Sequence, residues 1–222
     1  MNIKYIFLFV IISSCREVEE PTSIGYDYFP LAIDNEWIYK VDSIHFDDFT
    51  QQVDTYSYWR KEVITSIADI TSETDRYYVD VLFRTDSTNW QYVQTMLVYK
   101  NDIRAVRSVN NQPIVHLLFP VKARVFWDGN QLNNLPEDRF RYIDTHKSKA
   151  TLLDSFANTV FVQQAFDTSI IEDDIRWELF AENVGLAERQ IVSIEKQQGK
   201  RKGFDLRWTL NSTLRTLQTY EY

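Results

Sequence analysis

The sequence predicts a mainly β protein, an antiparallel barrel-like or sandwich domain with little helix. Three observations predict it. Apolar, aromatic and β-branched residues alternate with polar ones along much of the chain, the period of strands with one buried face. Asn-Asn, Asp-Gly and Gly199-Lys200-Arg201-Lys202-Gly203 punctuation separates these runs and favours turns over crossover helices. Helical periodicity is faint: its best case, Ile170 to Glu182, makes only an incomplete stripe of Ile171, Ile175, Leu179 and Glu182 and reads equally as helix or strand.

Residues 1–14 read as a lipoprotein signal peptide. Met1 to Lys4 supply a short positive region, and Tyr5 to Ile12 form an apolar run that stops at Ser13, Ser14 and Cys15. The run is far shorter than the roughly 20 residues a spanning helix needs. Ile12-Ser13-Ser14-Cys15 resembles the lipobox of bacterial lipoproteins, with Ile12 where Leu is usual. A thioether to diacylglycerol requires a thiol, and Cys15 is the one cysteine in the chain. Cys15 is therefore the expected site of lipid attachment and palmitate labelling, and the expected first residue of the mature protein. Several acyl chains on one residue hold a protein at a membrane where a single chain does not.

Residues 15–28 read as an acidic tether. Glu17, Glu19 and Glu20 follow the anchor; they resemble the acidic signal that sends some lipoproteins to the outer face of the outer membrane, and they equally suit a solvated spacer.

Residues 29–222 read as a single β-rich domain, entered at Tyr28-Phe29-Pro30-Leu31. Glu36 to Ser43 places Trp37, Tyr39 and Val41 on one side of the first strand. Thr55 to Ile67 follows, and then Arg76 to Arg84 and Trp90 to Lys100 form the clearest pair, joined by a hairpin loop at Thr85 to Asn89. Further strands are expected at Ile103 to Val109, Ile114 to Leu118, Phe140 to Thr145, Thr159 to Phe166, Leu186 to Lys196 and Phe204 to Leu217. Pro30 and Pro120 suit extended entries to strands, Asp128-Gly129 a left-handed tight turn, and Gly185 a turn before Leu186. Trp37, Trp127 and Trp208 are expected as core pillars.

Composition narrows the function classes. With 222 residues, 44% hydrophobic and 15% aromatic, the chain has material for one well-filled core and is neither collagen-like nor disordered. One cysteine excludes an internal disulfide framework and a four-cysteine zinc site. A net charge of −8 argues against a nucleic-acid partner. It also sets the protein against anionic headgroups, so the acyl chains must hold it to the membrane.

Three blocks carry a family resemblance. Tyr28-Phe29-Pro30-Leu31 with Asn35, Trp37 and Tyr39 comes first. Leu118-Phe119-Pro120-Val121-Lys122 with Trp127-Asp128-Gly129-Asn130 and Asn133 forms the middle block, and Ala181, Val184, Gly185 and Leu186 a late A-x-x-V-G-L block. In this order behind a lipobox they resemble a group of uncharacterised Bacteroidetes-type lipoproteins. Ala187-Glu188-Arg189 stands where that group continues Tyr-Lys-Glu. The resemblance implies a membrane-tethered, extracytoplasmic, mainly β domain and carries no activity.

Chemistry-bearing motifs are sparse. His45, His116 and His146 have no metal-ligand spacing; His45 lies beside Asp47 and Asp48 in what reads as a solvated acidic loop, and His116 inside an apolar strand. Glu172-Asp173-Asp174 lacks the alternation and glycine of a calcium loop and reads as a charged exposed edge. Lys196 to Lys202 is a basic patch best explained as a hairpin tip. No nucleophile elbow, phosphate loop or dinucleotide fingerprint is present. No catalytic residue, cofactor or metal is therefore assigned. The expected function is a non-catalytic, lipid-anchored binding or scaffolding domain of the cell envelope, held at the outer membrane and facing the periplasm or the surface. An envelope protein, a glycan or a lipid is the candidate partner. A half-barrel carrier of an apolar ligand is the alternative, and a glycan hydrolase using two distant carboxylates a third reading.

Overall fold

A computed structural model of the protein describes residues 23–70, 74–86, 89–214 and 216. Cys15 and the signal segment lie outside the described residues. Twelve antiparallel strands make one sheet: β1 (Glu36–Phe46), β2 (Val53–Ile70), β3 (Asp75–Arg84), β4 (Gln91–Lys100), β5 (Arg104–Val109), β6 (Gln112–Leu118), β7 (Phe126–Asp128), β8 (Arg139–Ala150), β9 (Ser155–Thr168), β10 (Glu172–Ala181), β11 (Gly185–Gln197) and β12 (Lys200–Leu210). Their order is β6-β5-β4-β3-β2-β1-β12-β11-β10-β9-β8-β7. Two up-and-down meanders are joined where β1 pairs with β12, Val41 opposite Trp208.

The sheet curls into a nearly closed barrel because one face of nearly every strand must leave water. On β1 the inward positions are Trp37, Tyr39 and Val41, and on β2 they are Tyr58, Arg60, Glu62 and Ile64. The seam between β6 and β7 is closed by individual bonds rather than a ladder. Val115 N–H donates to Gly129 O at 2.9 Å, Trp127 Nε1 to Val115 O at 2.8 Å, and the Tyr142 hydroxyl both accepts from Leu118 N–H and donates to Leu118 O, each at 2.7 Å. These bonds protect the two sheet edges from pairing with other chains.

The first block, the Phe119-Pro120-Val121 part of the middle block and the late block converge on one end and pack it, while Trp127 to Asn133 lie along the β6–β7 seam. A 3-10 turn at Tyr26–Tyr28 crosses that end. Tyr28 is fully buried, Tyr26 meets Phe119 edge to face, and Asn183 N–H donates to Asp27 O. Trp37 Nε1 donates to Val184 O at 2.6 Å and the Tyr39 hydroxyl to Leu186 O at 3.1 Å. Gly25, whose φ is 91°, fits against the Val121 side chain, so among the described residues Gly25 to Tyr28 pack against the barrel. Trp37, Trp127 and Trp208 are all buried, as expected of core pillars.

Several local expectations are corrected. The ambiguous segment Ile170 to Glu182 contains a strand, β10. Its inward positions Arg176 and Glu178 are charged and its outward positions Ile175, Trp177 and Leu179 apolar, which inverts the usual alternation. β10 lies between β9 and β11, so Glu172-Asp173-Asp174 is not on a sheet edge; Asp173 pairs with Lys196 and Asp174 with Arg176. Gly129 does not take a left-handed conformation; it is needed because a Cβ there would lie 2.6 Å from the Phe140 ring. Pro120 follows β6 in a bend, after a cis peptide bond, rather than opening a strand. The last strand ends at Leu210, short of the expected Leu217, which lies outside the described residues. There the Asn211 side chain accepts from Thr213 N–H and starts a 3-10 turn at Ser212–Leu214.

Candidate functional site

Next to the plugged end, the inward positions change from apolar to charged. β2 contributes Arg60 and Glu62, β5 Arg107, β6 His116, β10 Arg176 and Glu178, and β11 Arg189. Alternation alone delivers them to the interior, since each lies at an inward position of its strand.

Two carboxylates anchor this layer. Glu62, 3% exposed, accepts from Arg107 Nη2 at 2.6 and 2.7 Å and from Arg60 Nε at 3.0 Å. Glu178, 1% exposed, lies 2.7 Å from His116 Nδ1 and 3.6 Å from Arg189 Nε. The bond from β6 to β10 crosses the barrel and exists only because the sheet has curled.

Burial by itself would raise both carboxyl groups, but their partners outweigh it. The Arg107 and Arg60 guanidinia hold Glu62 below its ordinary range, and His116, Arg189 and Arg107 bring Glu178 down to about 2. An ionised Glu178 can only accept, so His116 Nδ1 carries the shared proton. Burial raises the Tyr39 hydroxyl well above its usual range and lowers the Arg189 guanidinium.

Beside this layer is a cavity of about 440 Å³ that opens to solvent. Its wall includes Arg60, Arg107, Arg176, Arg189, His116, Asp138, Gln94, Gln164 and Trp208. The Arg60 guanidinium lies 4.4 Å and that of Arg189 5.0 Å from the Trp208 ring centroid. Arg176 is held by Asp138 at 2.7 Å and by Asp174 at 3.1 Å. A volume in the range of small-molecule sites, about 300–1,000 Å³, lined by convergent polar groups, is the form of a binding chamber.

The residues singled out from the sequence lie mostly elsewhere. His45 stacks on Phe204 and meets the edge of Tyr56 in a second hollow of about 300 Å³, lined also by Ser43, Tyr58 and Leu206. His146 accepts from or donates to the Tyr28 hydroxyl at 2.9 Å. Lys196 to Lys202 forms the β11–β12 hairpin tip, with Gly199 and Gly203 at positive φ. Of the three histidines only His116 joins the chamber, where it is bound to a charge rather than merely packed on a strand face. Among the described residues, no group of three or more His, Cys, Asp or Glu is placed to hold a metal ion. Arg60, Glu62, Arg107, Glu178 and Arg189 were not singled out by sequence reasoning; the one available signal was charge at the inward register of otherwise apolar strands.

These features define a nearly closed antiparallel barrel with one packed end and a charged internal chamber. Among solved structures, the chain is similar to a Bacteroides fragilis protein described as exported and as having a YmcC-like fold: 9% identity, 82% of this chain and 96% of that chain covered, TM-score 0.48. It is also similar to a Parabacteroides distasonis protein described as a lipoprotein: 11% identity, 83% and 96% covered, TM-score 0.44. No protein-family model matches the chain, and no curated protein is significantly similar to it.

Proposed function

We propose that the protein is a lipid-anchored, extracytoplasmic binding domain of the outer membrane, tethered through acyl chains on Cys15, which receives a solute inside its barrel without transforming it. The chamber carries this reading. A barrel interior of this size is ordinarily filled by apolar side chains, and exchanging a buried ion pair for hydrophobic residues is often neutral or stabilising. Guanidinia held at the wall of an open cavity therefore point to use rather than to stability.

Carriage of an apolar ligand has a place in the aromatic hollow of Tyr56, Tyr58, Phe204 and Leu206, while the charged chamber disfavours an acyl chain there. Both Glu62 and Glu178 are held ionised, which does not suit either as the proton donor of glycoside hydrolysis.

The anchor is tested by metabolic labelling with palmitate. Label on the wild type, lost in Cys15→Ala together with release of the protein into the soluble fraction, is the expected result. An unlabelled wild type removes the anchor from the account.

A further inference from the structure

We infer that the chamber is an oxyanion site, taking a compact polar molecule that carries a phosphate or carboxylate group; this rests on the solute-binding reading above and names its ligand class. The wall presents four guanidinia, from Arg60, Arg107, Arg176 and Arg189, against one carboxylate, Asp138. Glu62 and Glu178 do not form the wall. They lie behind it, 3% and 1% exposed, where each neutralises part of the charge while fixing the orientation of the groups in front. Arg189 keeps 25% of its side chain accessible against 1% for Glu178, and Arg176 29% against 24% for Asp138, so in these two pairs the cation is the more open partner.

This arrangement is unusual for a protein of net charge −8. The four guanidinia are paired with Glu62, Glu178, Asp138 and Asp174, so the chamber is close to charge-balanced while the acidic excess lies elsewhere on the chain, and an anion meets less repulsion there than over the rest of the body. Guanidinium forks are suited to the paired oxygens of carboxylate and phosphate, and they act more strongly in a partly desolvated cavity than in water. Gln94 and Gln164 place neutral amides on the same wall, able to donate to or accept from hydroxyl groups of the ligand's body. The faces of Trp208 are approached by Arg60 and Arg189, so its fluorescence reports occupancy of those two groups.

The test is a titration of the full acylated chain in neutral detergent, followed by tryptophan fluorescence and calorimetry, with inorganic phosphate, glucose 6-phosphate, glucuronate and uncharged glucose as probes. Saturable binding of at least one anionic probe, absent for glucose and weakened by sodium chloride, is expected. Arg60→Gln and Arg189→Gln should each weaken it at least about tenfold, whereas Arg139→Gln, exposed beside Phe126, should leave it unchanged. Circular dichroism of each variant separates lost binding from lost fold. Competition by phosphatidic acid in mixed micelles, with free phosphate inactive, would assign the oxyanion to a lipid headgroup; binding of the free probes alone assigns it to a soluble molecule. Glucose bound as tightly as glucuronate would overturn the anion assignment and leave solute binding standing. No binding of any probe at about 10 mM, a weak limit by ordinary affinity arithmetic, would overturn the assignment outright, without touching the palmitate result on which the anchor stands.

Discussion

Replacing Glu178 by Gln removes the charge from the most buried carboxylate of the chamber while keeping its shape. Glu178 is 1% exposed and faces His116 at 2.7 Å and Arg189 at 3.6 Å. Its carboxyl group is held at about 2 in the folded protein against an ordinary 4.5. At about 1.4 kcal/mol per pH unit, that gap corresponds to about 3 kcal/mol of stability. The folded-state value is depressed, so the contribution is complete above pH 4.5 and is lost progressively as pH falls toward 2. Urea unfolding of wild type and Glu178→Gln, followed by tryptophan fluorescence from pH 7 to pH 3, reads it directly. The variant should be about 3 kcal/mol less stable at pH 7, in keeping with the loss of one partner from a buried ion pair, and the difference should shrink as the pH falls. A difference that stays constant across this range, or a variant as stable as wild type at pH 7, would refute the reasoning.

Two further substitutions test the frame around the chamber. Tyr142→Phe removes the hydroxyl that both accepts from Leu118 N–H and donates to Leu118 O, leaving the β6 edge unsatisfied; about 1–3 kcal/mol of lost stability in chemical denaturation is expected. Gly203→Ala places a side-chain carbon against the Ser193 carbonyl oxygen at a φ of 130°, and should lower stability by at least about 2 kcal/mol, whereas Gly199→Ala meets no neighbour and should cost less.

The fold was legible wherever the inner face is apolar. Tyr39 and Val41 on β1 flank Lys40, Val79 and Val81 on β3 flank Asp80, and both strands lie where that alternation puts them. β10 was ambiguous for the opposite reason: Arg176 and Glu178 point inward, so the polar letters fall on the buried positions. The chamber was hidden by the same inversion. Its members come from β2, β5, β6, β10 and β11, at sequence separations such as 62 between His116 and Glu178, and no local motif brings them together. Gly129 shows a different limit. Asp-Gly is a sound turn signal, yet the glycine is required by the Phe140 ring packed over it, a tertiary contact with no trace in the adjacent residues. The basic hairpin tip was read correctly because its glycines and its pairing are close in sequence.

Mass spectrometry of the native, acylated chain, extracted from its own membrane and kept folded, tests the account most directly. The predicted spectrum shows the protein carrying diacylglycerol and acyl mass on Cys15, with a population bearing one small acidic ligand that is absent from Arg189→Gln. A chain without the lipid mass, or one whose chamber is empty in wild type and variant alike, would contradict it.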